Sequence, residues 1–274
     1  GVPPNQVLRA KLEKLEVSEN VADLILQKFQ ELSEKEIEIL KITSCIGNTF
    51  DLKTLATVIK KPLPTIIKTL SKLIETGAII PINTSYRELK FLNGDSSLLN
   101  SEYKYHHDKV QQAAYLLNEQ NEIASLHLLI GKRMLTNMQD KEIETKIIEI
   151  VEQLNNGKDL ILNNSEKIEL AALNLRAGKK AKLSAAFQPA QEYFSESKNI
   201  LPGDSWEKNY HLTFDIFKCL SENSYICGNF DEAEFSVKLL LNKAQTSLDK
   251  AEIYHIQAVQ YTTMQKLKEA IEVA

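Results

Sequence analysis

The 274-residue chain has few cysteines, no excess of basic residues and no long hydrophobic run. Its three cysteines, Cys45, Cys219 and Cys227, are odd in number and lack the short paired spacing of a zinc site. We therefore expect reduced, mostly buried thiols in a cytoplasmic protein. No apolar run approaches the roughly 18 residues of a membrane-spanning helix, and no signal-peptide pattern is present, so no membrane contact is expected.

The charge balance argues against nucleic acid as a partner. The formal net charge is −4 and the isoelectric point is about 5.9, so the chain lacks the broad basic surface that drives nonspecific binding to phosphate backbones. At 43% hydrophobic and 26% charged residues, it has the composition of an ordinary soluble protein that buries a core.

Sequence motifs for catalysis are also missing. There is no G-x-x-x-x-G-K-[ST] phosphate loop, and the similar stretch GKKAKLS from Gly178 falls within a predicted helix. A kinase catalytic loop, a DFG element and a G-x-S-x-G elbow are absent, and the five histidines do not cluster. We expect no self-sufficient active site, which disfavours an independent enzyme.

Three helices are predicted between residues 34 and 77. Ser33 and Glu36 form a capping box that predicts the start of a helix at Glu34, and Gly47 and Asn48 predict its end at about Ile46. Asp51 opens a shorter helix, and a third begins near Thr65, where apolar residues recur at helical spacing. Residues 7–15 and 21–29 have the pattern of two further helices, within a segment (residues 1–31) that we expect to end a preceding domain.

Strands are predicted after the third helix. The candidates are residues 78–82, 89–92 and 103–107, with a turn-rich stretch between the last two. Three helices followed by a hairpin predict a winged-helix domain over residues 32–108.

The join at the end of that domain carries the candidate site. Tyr103, Tyr105 and His107 alternate with polar residues, as in a strand with one buried face, and Asp108 with Gln111 forms a second capping box, which predicts a helix from Lys109. A histidine beside a helix N-terminus can help to hold an anion such as a phosphate. It can also simply pack beside a capped helix, and the residues alone favour this second interpretation.

DNA binding through the third helix is the alternative use of a winged helix. Lys60, Lys61, Lys68 and Lys72 lie on or near that helix, but it has no arginine, asparagine or glutamine to read base edges. This composition favours a solvated face in a domain used for protein contacts.

Residues 109–274 are predicted to form an array of helical hairpins. A small residue is followed twelve positions later by alanine in three places, and a large apolar residue lies three positions before each alanine. This register is the tetratricopeptide (TPR) pattern, in which small residues let two helices approach closely and large ones fill the gap to the next repeat. The three sets are Gly178, Phe187 and Ala190; Ser221, Phe230 and Ala233; and Ala258, Leu267 and Ala270.

The repeats depart from the TPR pattern in two ways. Their periods, 43 and then 37 residues, exceed the usual value of about 34, and the tryptophan position holds Asn174, Phe217 and Tyr254. We therefore expect divergent repeats, and further repeats in the intact protein. The predicted fold class is mainly α, a winged helix followed by a TPR-like α-solenoid.

Several stretches together resemble a known group of proteins. In order they are ITSCIGNTFDLKTLA, YKYHHDKVQQAAY, HLLIGKRML, IVEQLNNG, LNLRAGKKAKLSAAFQPAQEYF and CGNFDEAE. The run resembles the region after the NTPase core in large multidomain sensor kinases that carry a signal-transduction ATPase of the STAND class. These proteins often have a serine/threonine-kinase-like domain before the ATPase and GAF and histidine-kinase domains after it.

The resemblance implies roles for two residues. In the STAND class the winged helix packs on the NTPase domain, and a histidine–aspartate pair at its end contacts bound ADP and stabilises the inactive state. The matching positions are His107 and Asp108. ATP, ADP and Mg²⁺ would bind the NTPase core, which lies outside this sequence, so the isolated segment should bind nucleotide weakly or not at all.

The leading hypothesis is thus a non-catalytic regulatory and interaction segment. Its implied partners are the adjoining NTPase domain of the same chain and a protein on the TPR-like surface. The alternative is a winged-helix transcription regulator of the STAND class that binds DNA.

Overall fold

A computed structural model describes residues 19–83, 99 and 101–273 of the protein. These residues are mainly helical, as the sequence predicts, with one small antiparallel sheet in the described part. The chain divides into two compact units, one up to residue 160 and the other from residue 161. In the described residues no helix is long and apolar enough to cross a membrane.

The first unit contains the sheet and the helices around it. The elements of this unit are α1 (Glu19–Gln30), α2 (Glu34–Ile46), β1 (Thr49–Asp51), α3 (Leu52–Ile59), α4 (Leu63–Glu75), β2 (Ile79–Pro81), β3 (Glu102–Tyr105), α5 (Asp108–Leu116), α6 (Gln120–Asn137), α7 (Asp140–Thr145) and α8 (Ile147–Asn156), followed by a 3-10 turn (Lys158–Leu160). Helix α2 packs against α4, α5 and α6, and α6 packs against α8.

Local capping sets the ends of the early helices. The Glu36 carboxylate accepts a hydrogen bond from the Ser33 backbone N–H at 2.6 Å, and α2 has the predicted bounds. Asp51 caps α3 through the Thr54 N–H at 2.7 Å. Helix α4 begins at Leu63, two residues before the predicted start, because proline is well accommodated in a first helical turn.

The sheet has the strand order β1-β3-β2, and both pairings are antiparallel. The predicted strands at 78–82 and 103–107 are confirmed, with observed bounds of 79–81 and 102–105. Strand β1 is not predicted, because three residues between two helices are too few to show alternation. The predicted strand at 89–92 and helix at 7–15 lie outside the described residues.

Two buried tyrosines of β3 stabilise the sheet and its contact with α2. Tyr103 stacks on Phe50 of β1 with ring centroids 5.7 Å apart. The Tyr105 hydroxyl contacts Thr43 Oγ1 at 2.7 Å and donates to the Leu40 carbonyl oxygen at 3.0 Å. Burial raises the pKa of Tyr105 far above its ordinary value and that of Tyr103 to about 12, so both rings remain neutral.

The predicted domain boundary after residue 108 falls inside the first unit. Helix α5 packs on α2, and α6 packs on α3, so the helices after residue 108 share contacts with those before it. A compact unit can contain more than one domain, so the boundaries 1–31, 32–108 and 109–274 stay predictions.

The second unit consists of helical hairpins. The helices are α9 (Asn164–Leu183), α10 (Phe187–Ile200), α11 (Ser205–Lys208), α12 (Tyr210–Ile226), α13 (Phe230–Lys243), α14 (Ser247–Thr263) and α15 (Leu267–Val273). Three hairpins are formed by α9 with α10, α12 with α13 and α14 with α15, and α10 also packs on α12.

The three hairpins share the geometry of their turns. A residue in the left-handed conformation occurs in each turn, namely Ala185 (φ 56°), Gly228 (φ 79°) and Gln265 (φ 60°). Each lies seven positions after the small residue of its repeat. Ala185 and Gln265 accept this conformation at a cost of roughly 1 kcal/mol each, because their Cβ atoms crowd the backbone. The same turn thus recurs despite unequal repeat lengths.

Candidate functional site

His107 lies between strand β3 and helix α5 and caps the helix. Its backbone is extended, and its Nδ1 accepts a hydrogen bond from the Lys109 N–H at 3.1 Å. The expected cap, Asp108, is instead the first residue of the helix, so the predicted start at Lys109 is one residue late. A histidine can replace aspartate as a cap because Nδ1, like a carboxylate oxygen, is two bonds from Cβ.

Gln111 does not complete a capping box. Its Nε2 donates to the Ser44 carbonyl oxygen at 2.7 Å, at the end of α2. The prediction of a local pairing with Asp108 is therefore wrong. A buried helix end offers carbonyl groups that lack partners within their own helix, and Gln111 satisfies one of them.

The cap determines the tautomer of the neutral His107 ring. Because Nδ1 accepts a hydrogen bond, the neutral ring carries its proton on Nε2, which is thus a donor. The side chains of His107 and Asp108 are both exposed. An N–H donor and the partial positive charge of the α5 N-terminus therefore face the outside of the unit together.

A chain of hydrogen bonds links α5 to three other helices. The Tyr115 hydroxyl contacts His127 Nε2 at 3.1 Å, His127 Nδ1 contacts Gln153 Oε1 at 2.7 Å, and Gln153 Nε2 donates to the Cys45 carbonyl oxygen at 2.8 Å. Because a carbonyl can only accept, Gln153 presents Oε1 to His127, whose Nδ1 is therefore the donor. His127 Nε2 in turn accepts from the Tyr115 hydroxyl.

The last four backbone carbonyl groups of α2, at residues 43–46, all have hydrogen-bond donors. The Thr43 carbonyl oxygen accepts from the Gly47 N–H, and the Ser44 carbonyl oxygen accepts from Gln111. The Gln153 amide donates to the Cys45 carbonyl oxygen and lies 3.4 Å from that of Ile46. Every carbonyl that lacks a partner within the helix is thereby satisfied. The sequence reasoning missed this arrangement, since it took the histidines after residue 108 as single helix residues.

Burial favours the neutral forms of His127 and Tyr115 in this series of hydrogen bonds. Burial lowers the pKa of His127, although the Gln153 hydrogen bond acts in the opposite direction, and raises the pKa of Tyr115. Burial also raises the pKa of the nearby Cys45 thiol to about 11. The helices therefore meet through neutral hydrogen bonds with defined donors.

Ion pairs join α3 to the later helices. Lys146, at the break between α7 and α8, contacts the Asp51 carboxylate at 2.6 Å, and Lys53 pairs with Glu142. Burial alone would raise the pKa of Asp51, but Lys146 and the Thr54 hydrogen bonds outweigh it and lower the pKa.

The predicted repeat-packing residues of the second unit lie between paired helices. A Cβ on Gly178 would lie 2.5 Å from the Phe194 ring, so only glycine fits there. The Ser221 hydroxyl donates to the Ala233 carbonyl oxygen across its hairpin at 3.2 Å. The alanines twelve positions after each small residue, Ala190, Ala233 and Ala270, are buried. Ala258, the small residue of the third repeat, is half-buried.

The large residues of the repeat pattern do not fill gaps between hairpins. Phe187, Phe230 and Leu267 each begin the second helix of a hairpin and remain 36%, 48% and 60% exposed. Each lies two positions after the left-handed residue of its turn.

In the described residues, no group of three or more histidine, cysteine, aspartate or glutamate side chains could hold a metal ion. The candidate site is the N-terminus of α5, which His107 caps. Hydrogen bonds from Gln111 and Gln153 connect it to the carbonyl end of α2.

Comparisons with known proteins point to signalling. The chain is 26% identical over 309 aligned residues to hybrid signal transduction histidine kinase G of Dictyostelium discoideum, and the alignment covers 96% of this chain. It covers 9% of that protein, so the chain spans only a small part of its relative's length. No family model and no solved structure matches the chain. The similarity supports a protein related to signal-transduction kinases.

Proposed function

We propose that the chain is a non-catalytic regulatory segment of a signal-transduction ATPase or sensor kinase. In this proposal the sheet with helices α2, α3 and α4 is a winged helix that acts as a nucleotide-state latch. The hairpins of the second unit form a TPR-like scaffold that receives a protein signal. The observation that carries the proposal is the exposed Nε2–H donor of His107 at the positive end of α5.

The chemistry of this end suits a bound nucleotide. The His107 Nε2–H can donate to a phosphate oxygen of ADP held by the adjoining NTPase domain, and the partial positive charge of α5 supports that contact. Asp108 carries the opposite charge and repels phosphate. We propose that it accepts hydrogen bonds from hydroxyl or amino groups of the nucleoside, while ATP, ADP and Mg²⁺ are bound chiefly by the NTPase domain.

Signal transfer requires two packings of the latch with different affinity for ADP and ATP. Helix α5 is suited to this task, because its N-terminal end carries His107 and its body is bonded through Gln111 and Tyr115 to α2, α6 and α8. A movement of the capped end thus changes hydrogen bonds at three other helices.

The DNA-binding alternative is less well supported. Of the four predicted contact residues, Lys61 pairs with Glu38 and Lys72 with Glu75. These carboxylates reduce the attraction of the helix for phosphate. Duplex binding that weakens steeply with salt would favour the alternative.

The latch is tested in the full-length parent by measuring ADP dissociation. His107→Ala should speed dissociation about tenfold, since a hydrogen bond to a charged group is worth about 1.5 kcal/mol or more. His107→Asn retains a cap acceptor but lacks the Nε2–H, so it should behave like His107→Ala. His106, an exposed neighbour, supplies the control His106→Ala, which should leave the rate unchanged. Equal rates in all variants would refute the latch.

A further inference from the structure

The cap of α5 differs chemically from three other side-chain caps of this chain. Asp51, Asn163 and Thr246 each accept a backbone N–H through an oxygen atom. His107 accepts the Lys109 N–H through the ring nitrogen Nδ1, at 3.1 Å. Amide, hydroxyl and ionised carboxylate oxygens remain acceptors over the range in which histidine changes charge, about pH 5–8. Of these caps, the one on α5 is therefore the one that a proton can remove.

Protonation of His107 weakens the first turn of α5 in two ways. The imidazolium form carries a proton on both ring nitrogens, so Nδ1 no longer accepts from the Lys109 N–H. Its positive charge also lies at the partially positive end of the helix, which is unfavourable. The exposed carboxylate of Asp108, the next residue, offsets part of this repulsion but leaves the acceptor missing.

Most ionisable side chains of the adjoining elements keep their charge state over this range. They are Asp51 of β1, Glu102 and Lys104 of β3, Lys41 and Cys45 in the last two turns of α2, and Asp108, Lys109 and Tyr115 of α5; β2 has none. Carboxylates, lysines, tyrosines and a buried thiol do not ordinarily titrate between about pH 5 and 8. Two further histidines, the neighbouring His106 and the more distant His127, require controls.

The first turn of α5 also holds a connection to the core. The Val110 and Gln111 N–H groups lie 2.9 and 3.4 Å from the His107 carbonyl oxygen, and the Gln111 side chain donates to the Ser44 carbonyl oxygen at 2.7 Å. A hydrogen bond between two segments lasts only while both are ordered. Loss of order in this turn therefore weakens the bond to α2.

We propose that His107 is a proton-operated switch of the α5 N-terminus. The neutral ring caps the helix and presents its Nε2–H, and protonation releases the first turn together with the bond between Gln111 and Ser44. The use of this switch to regulate ADP contact rests on the proposed latch function. The switch itself is a property of the 274-residue chain.

The test uses the 274-residue chain without nucleotide. At about pH 8, NMR of the ring nitrogens should place the single proton of His107 on Nε2. Hydrogen-exchange protection of residues 109–112, relative to the unfolded chain at the same pH, should fall about fivefold or more between about pH 8 and about pH 5. Amides of α4 report unfolding of the whole unit, including any caused by His127, and the fall in α5 should exceed theirs.

His107→Asn is the decisive variant. Asparagine caps a helix through an oxygen and does not titrate, so its protection at residues 109–112 should change no more than that of α4. His107→Ala lacks the acceptor and should show low protection at both pH values. His106→Gln, at the exposed neighbour, should behave like the wild type.

Three results would overturn the proposal: a neutral ring protonated on Nδ1, a wild-type fall in α5 no larger than that in α4, or a fall that persists in His107→Asn. Loss of the effect in His106→Gln would also do so, because it would assign the titration to His106. None of these measurements involves nucleotide, so failure here is distinguishable from failure of the latch.

Discussion

The Gln111 amide donates a hydrogen bond to the Ser44 carbonyl oxygen at 2.7 Å, although the two residues are 67 positions apart in the sequence. This bond ties the first turns of α5 to the end of α2. It gives the capped end of α5 a direct connection to the core of the first unit.

We predict that Gln111→Ala loosens α5. The change leaves the Ser44 carbonyl without its partner and should lower the local stability by about 1–3 kcal/mol. Hydrogen exchange of the α5 amides measures this effect. Gln120→Ala, at an exposed glutamine that begins α6, is the control and should leave exchange in α5 unchanged. Similar exchange in both variants would contradict the assigned role of Gln111.

We predict that His127 makes the first unit less stable in acid. The pKa of His127 lies below its ordinary value of 6.5, so the unfolded chain takes up a proton at a higher pH than the folded chain. The free energy of unfolding should therefore fall as the pH drops through 6.5 and level off below the folded pKa.

Denaturant unfolding of wild type, His127→Asn and His106→Gln across this range tests the effect. The first substitution should flatten this part of the pH profile, and the second, at an exposed histidine, should not. A profile unchanged by His127→Asn would assign the pH dependence to other groups.

We predict that Asp51→Asn destabilises the first unit at neutral pH. Asparagine can still cap α3, so the variant removes mainly the charge that faces Lys146 and should cost about 1–3 kcal/mol. Because the folded pKa of Asp51 is lowered, its contribution is present above the ordinary value of 3.8 and is lost as the pH falls through the folded pKa.

Glu149→Gln provides the control for this prediction. Glu149 contacts the same lysine at 3.2 Å but its side chain is 55% exposed, so its ion pair should contribute little. Unfolding curves near pH 7 and in strong acid measure both variants. A difference between Asp51→Asn and wild type that persists in strong acid would show that charge is not the cause.

We predict that Gly178→Ala destabilises the second unit. The added Cβ would meet the Phe194 ring at 2.5 Å, and overpacking of this kind costs about 1–3 kcal/mol. Gly203→Ala is the control, because no atom lies within 4 Å of its Cβ position. Thermal unfolding followed by the fluorescence of Trp206 compares them, and a smaller partner in Gly178→Ala/Phe194→Leu should recover part of the loss.

Features that depend on neighbouring residues were predicted well from the sequence. The capping residues Ser33 and Glu36 gave the start of α2, Gly47 gave its end, and Asp51 gave the start of α3. The repeated spacing of small and large residues located hairpins in the second unit, since helix contacts within a hairpin recur at short separations.

Features that depend on distant partners were not predicted. Strand β1 exists because Phe50 pairs with Tyr103, and the sequence between two helices gives no sign of it. Gln111 donates to the Ser44 carbonyl oxygen, 67 positions away, and the sequence near α5 gives no sign of that partner.

The amino-acid sequence by itself determined the helical class of this protein, the ends of its early helices and the register of its hairpins, because caps and periodic apolar residues act within a few turns. Only the tertiary structure decided which side chains satisfy the carbonyl end of α2 and which strands pair in the sheet. These features arise from groups tens of residues apart, and the chain must fold before hydrogen bonding and burial can select them.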